Sequence, residues 1–113
     1  MKKTIIPVLL FLFLGTCLWA QDSKVTTGVV AFQGQDYKKA IDALNVGLAD
    51  PSQLKEKNVP KAYYYRALSQ LQYMAQLSQG EGAKTNAATV KSLIFKIYDD
   101  LKQAKESDTY NKW

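Results

Sequence analysis

The chain has 113 residues, a formal net charge of +5, 47% hydrophobic and 22% charged residues, and no histidine. That length suits one domain, and the balance of apolar and charged side chains excludes a wholly disordered chain. Without imidazole the usual neutral-pH acid–base group and the commonest metal ligand are missing, and a single cysteine, Cys17, excludes an intrachain disulfide or a thiolate metal cluster.

Residues 1–20 have the layout of a secretory signal peptide: positive Lys2 and Lys3, an apolar run from Ile5 to Leu14 broken only by Pro7, then a short segment ending in Ala20. The run is shorter than the roughly 20 residues a spanning helix needs. Cleavage after Ala20 would leave Gln21 as the mature N-terminus. Leu14-Gly15-Thr16-Cys17 offers a second route, a lipobox-like segment whose cysteine carries lipid, and an uncleaved anchor is a third. All three send residues 21–113 out of the cytoplasm. Removing Lys2 and Lys3 from the 15 basic residues leaves 13 against 10 acidic ones, a net +3. That charge is too mild and too interspersed to call for a nucleic-acid partner.

The rest reads as four helices. In the first, Val25, Val29 and Phe32 recur at helical spacing, and Gly34 suits a left-handed stop. Asp36 caps the second, whose stripe is Tyr37, Ala40, Ile41, Leu44 and Leu48, with Lys38, Lys39, Asp42 and Asn45 on the wet face. Asp50-Pro51 closes this hairpin, about 22–50, and can start a single turn through Leu54. Asn58 punctuates, and Pro60 opens a third helix with the stripe Tyr64, Ala67, Leu68, Leu71 and Ala75. Residues 79–85 read as a loop, with Thr85 or Asn86 to cap the fourth helix. There the stripe is Val90, Leu93, Ile94, Ile97, Tyr98, Leu101 and Ala104, with Lys91, Lys96, Asp99, Asp100 and Lys102 off it. The second hairpin covers about 59–107. No stretch alternates as a strand does, so the expected fold is all-α: stacked antiparallel helical hairpins.

The segment Gly28 to Pro51 resembles a tetratricopeptide repeat. Gly28 and Ala40 stand at that family's two small-residue positions, Leu44 at the large position four residues on, and Tyr37 ahead of Ala40 as in many members. Lys24, Thr27 and Gly47 depart from its usual tryptophan, leucine and late alanine, its aromatic is displaced to Phe32, and Pro51 comes one residue early. A looser second unit takes Ala67 as its small residue and Leu101 and Ala104 as its end, with a spacing roughly 18 residues longer than the standard repeat. The resemblance implies that the first helix of each repeat lines a concave groove. Tyr63, Tyr65, Arg66 and Gln70 would then meet a protein or peptide there; packing against the first hairpin or the fourth helix is the competing reading.

Other candidates carry less. Tyr63, Tyr64 and Tyr65 fan through about 200°, so Tyr64 joins the stripe while its neighbours lie at the edge. Lys55, Lys57 and Lys61 read as a solvated loop cluster. Asp99 and Asp100 point about 100° apart and form no catalytic pair. Serine and threonine lack a histidine partner, and Gln79–Gly82 lacks the lysine of a phosphate loop. The expectation is a non-catalytic scaffold or adaptor with no metal and no cofactor. It would be exported to the periplasm or cell envelope of a Gram-negative bacterium and bind a protein or peptide. The alternative is a subunit of an outer-membrane or periplasmic envelope assembly, lipid-anchored at Cys17; unless the anchor stays uncleaved, that lipidation is the only route to a membrane. Two repeats are fewer than such stacks usually need, so self-association is a further expectation.

Overall fold

A computed structural model describes residues 21–79 and 82–109. The expected export segment, with Cys17 and both cleavage alternatives, lies outside the described residues. Helix α1 covers residues 21–33, α2 Tyr37–Gly47, α3 Asn58–Leu77, the single turn α4 Gly82–Thr85 and α5 Ala87–Ser107. Pro51–Gln53 forms one 3₁₀ turn between α2 and α3. No strand occurs among the described residues. The chain is all-α, built as helical hairpins.

Helix α1 ends in a paired hydrogen-bond closure. The Asp36 N–H donates to the Ala31 carbonyl at 2.9 Å and the Gln35 N–H to Phe32 at 3.0 Å, the Schellman pattern. The left-handed residue is Gln35 (φ 63°) rather than Gly34, which sits one position earlier. A Cβ-bearing residue thus occupies the position glycine usually takes. Asp36 caps α2, its carboxylate accepting from the Lys39 N–H at 3.3 Å. On the wet face Lys38 pairs with Asp42 at 3.1 Å, and that hydrogen bond is the main cause of the raised Lys38 pKa.

The α1–α2 seam is tight because two glycines face large side chains. A Cβ on Gly28 would stand 2.5 Å from Leu44 Cγ, and one on Gly47 3.1 Å from Val25 Cγ2. Leu44 is fully buried. Glycine costs helix propensity, and at Gly47 it buys this approach. The central cluster is Val25, Leu44, Leu48, Leu54 and Ala62, with Val59, Tyr63 and Tyr65 packed against it.

Stitches at the ends hold the elements in register. The Gln21 carboxamide lies against the carbonyls of Val46 and Gly47 at the end of α2; turned so that its nitrogen faces them, it donates to both, at 2.7 and 3.2 Å. Asp22 Oδ1 accepts from Asn58 Nδ2 at 2.7 Å and from the Lys55 N–H at 3.2 Å. Asp50 accepts from Ser52 Oγ and N, which forms the 3₁₀ turn and leaves Leu54 buried.

Helix α3 packs on α2 along one side and on α5 along another. It begins at Asn58, so Pro60 lies inside its first turn, where its missing N–H would have no intrahelical partner anyway. Flanked twice, it buries Ala62, Ala67, Ser69 and Gln70. The expected stripe is displaced: Ala67 is buried, but Tyr64 and Leu68 are half-buried and Leu71 and Ala75 exposed. Small side chains sit where helices approach from two directions, so the apolar stripe does not mark the buried side.

Residues 82–85 form a helical turn instead of a loop. Asn86 occupies the N-cap position of α5, yet its side chain makes no capping bond; it reaches back to the Leu77 carbonyl, closing α3 (3.3 Å). Helix α5 buries Leu93, Asp100 and Ala104 and leaves Ile94, Tyr98 and Leu101 exposed. This reverses the expected assignment of Asp100 to solvent and of those three apolar residues to the core.

Candidate functional site

Two features of α3 and α5 stand out: a buried polar lock between them and an exposed apolar arc beyond it. The lock centres on Asp100, 3% exposed. Arg66 grips it with two parallel bonds, Nε to Oδ2 at 2.8 Å and Nη2 to Oδ1 at 2.7 Å. This bidentate geometry is the strong form of the ion pair. Gln70 Nε2 adds a third donor to Oδ2 at 2.9 Å. The remaining Arg66 nitrogen, Nη1, donates to Asn45 Oδ1 on α2 at 3.1 Å, and the guanidinium carbon lies 5.7 Å from the Tyr63 ring centre. One arginine therefore spans three helices. Burying a carboxylate is costly unless it is paired and hydrogen-bonded, and here three donors meet it. No buried side-chain nitrogen or oxygen among the described residues lacks a partner.

None of the four residues proposed to meet a peptide is exposed, and three of them, Tyr63, Arg66 and Gln70, are brought together at the lock. Tyr63 and Tyr65 pack against the central cluster. Tyr65 also meets Phe32 edge-on at 5.5 Å and Tyr64 at 5.7 Å. Arg66 and Gln70 spend their donors on Asp100, and Gln70, 2% exposed, presents no surface. Among the repeat positions, Gly28, Ala40, Leu44, Ala67 and Ala104 are buried and Tyr37 is half-buried, 5.7 Å from Phe32. Leu101 is exposed.

Asp100 escaped the sequence reading because charges were assigned to water. A signal was present: Leu93, Ile97, Asp100 and Ala104 follow the four-three-four spacing of a helical seam, with the aspartate inside it.

The second feature is on the outer side of α5. Ile94, Phe95, Tyr98 and Leu101 are exposed by 51%, 63%, 69% and 45%. At about 100° per residue, Leu101, Ile94, Lys105, Tyr98, Lys91, Lys102 and Phe95 follow one another around an arc of roughly 120°. All seven are exposed, and the arc holds no carboxylate. Asp99 and Glu106 lie beyond its far edge, while Asp100 is internal and bound to Arg66. Lys91, Lys102 and Lys105 take part in neither of the ion pairs formed among the described residues.

Among the described residues no group of His, Cys, Asp or Glu has the arrangement to hold a metal ion, and no helix is long and apolar enough to cross a membrane. Compared with family models, with curated proteins and with solved structures, the chain matches none.

Proposed function

We propose that this chain is an exported helical scaffold that binds a protein or peptide partner, and that the outer arc of α5 is the face it uses. The observation that carries the reading is the exposure of Ile94, Phe95, Tyr98 and Leu101 on one side of one helix. Aromatic side chains bury about 150–250 Å² each, so Phe95 and Tyr98 alone leave on the order of 250 Å² in solvent. With the two aliphatic residues the patch reaches several hundred Å², the size at which an exposed apolar surface on a soluble domain tends to mark an interaction site. Aromatic residues are also enriched at binding hot spots. The lock at Asp100 ties α5 to α3, which supports a face held in one orientation. Residues 1–20 support export, and the likeness of Gly28–Pro51 to a helical-repeat unit supports a binding rather than a chemical role.

The test is affinity capture from cell-envelope extract with the exported chain and with its Ile94→Ser/Tyr98→Ser variant. The variant is expected to keep its helical circular dichroism and to lose the partner. Equal capture by both proteins would remove α5 from the reading. The lipobox-like Leu14–Cys17 segment favours a second reading, a lipid-anchored envelope subunit. Mass spectrometry of the mature N-terminus separates the two: lipidated Cys17 establishes the anchor, and a free Gln21 removes it.

A further inference from the structure

We infer that the occupant of the α5 arc is an acidic amphipathic helix of a partner protein, its apolar stripe on Ile94, Tyr98 and Leu101 and its carboxylates against Lys91, Lys102 and Lys105. The inference rests on the proposed reading of this arc as the binding face. Its argument is charge complementarity. The lysines interleave with the apolar residues: Lys105 falls between Ile94 and Tyr98 around the helix, and Lys91 and Lys102 fall between Tyr98 and Phe95. The two acidic residues at hand lie outside the arc, and the third acidic residue of that stretch, Asp100, is turned inward and neutralised by Arg66. A contiguous surface of one sign with apolar side chains between its charges selects a partner of opposite sign with matching apolar gaps.

The same arrangement argues against two rival occupants. A second copy would bring lysines to lysines: a two-fold axis at Tyr98 sets Lys91 opposite Lys105, and like charges across an interface are unfavourable. A lipid surface is best met by a helix whose apolar and basic faces are separate, so that one side enters the acyl boundary. Here Lys105 and Lys91 flank Tyr98 inside the arc, so its apolar and basic sides are not separated. The lysines lie along about 21 Å of helix, the rise of Lys91 to Lys105, so a partner helix of four turns can meet them all.

The test uses the full exported chain and two synthetic peptides of about five turns that share one leucine stripe, flanked in one by glutamate and in the other by lysine. By fluorescence anisotropy the glutamate peptide is expected to bind at least about tenfold more tightly at low salt. That preference should shrink as salt rises from about 0.01 to about 1 M, where the Debye length falls from about 30 to about 3 Å. The Lys91→Glu/Lys102→Glu/Lys105→Glu variant, altered only at exposed positions, is expected to reverse the preference. No preference in the parent chain, or no reversal in the variant, overturns the inference. Tighter binding to phosphatidylglycerol-containing vesicles than to the glutamate peptide, abolished by the same charge variant, overturns it in favour of a lipid surface. The Ile94→Ser/Tyr98→Ser variant separates this inference from the reading beneath it. If that variant binds the glutamate peptide as the parent does, the α5 reading falls as well. If it loses both peptides while the parent shows no charge preference, the inference alone falls.

Discussion

At the scale of single residues, two contacts decide whether the helices close. Gly28 lies against Leu44, and a methyl group there has no room without moving the leucine branch point. Gly28→Ala is expected to cost about 1–3 kcal/mol, as overpacking does, read from the urea midpoint at unchanged slope. The second contact is the Arg66–Asp100 pair. Asp100→Ala strands the arginine, with about 3–5 kcal/mol lost if it behaves as other broken buried pairs do. Arg66→Leu/Asp100→Leu should lose markedly less, because no uncompensated charge remains; chemical denaturation of the three proteins checks the order. These residues also show what a sequence reveals. Gly28, Ala40 and Leu44 were legible, since small-against-large spacing on neighbouring helices has one plain physical use. Arg66 and Gln70 carried two readings, a groove contact and packing against the fourth helix, and the second is what they do, while Asp100 was set among solvated charges. The partner of Asp100 lies 34 positions away, and no local periodicity reports a carboxylate satisfied across a helix interface.

At the scale of elements, the helices themselves were readable and their orientation was only partly so. α2 meets α1 and α3 over one contiguous side, so four of its five stripe residues, Ala40, Ile41, Leu44 and Leu48, are buried and Tyr37 is half-buried. α3 has neighbours on two sides, and close approach there favours Ala62, Ala67 and Ser69 over its larger apolar residues. α5 carries apolar residues around more than half its circumference, a distribution that leaves open which part turns inward. The turn between α1 and α2 makes a separate prediction. Gln35 holds a left-handed backbone that a side chain enters at a cost. Gln35→Gly is expected to stabilise by about 0.5–1 kcal/mol, the relief of that cost less the added flexibility of the unfolded chain. Thermal unfolding followed by circular dichroism measures it, and a lowered midpoint would count against the Schellman closure.

At the scale of the whole molecule, α1 and α2 form one hairpin, α3 and α5 a longer one, and α3 joins them by packing on both α2 and α5. Among the described residues, neither the core cluster nor the lock that closes this stack includes a side chain of the outer arc of α5. Ile94→Ser/Tyr98→Ser should therefore lower the unfolding temperature by no more than about 4–8 °C, since exposed substitutions rarely move stability by more than about 0.5 kcal/mol each. A fall well beyond that would mean that these side chains hold the fold instead of facing a partner.

The stitches made by Gln21 and Asp22 carry one more consequence. They are the first two residues after the expected cut at Ala20, and between them they fasten the tail of α2 and the approach to α3. An exopeptidase nibbling just two positions past that boundary would unbutton both seams at once. Resistance to such trimming would then depend on how snugly the new end is tucked in, and a cut at Ala20 would leave a hem with nothing to spare.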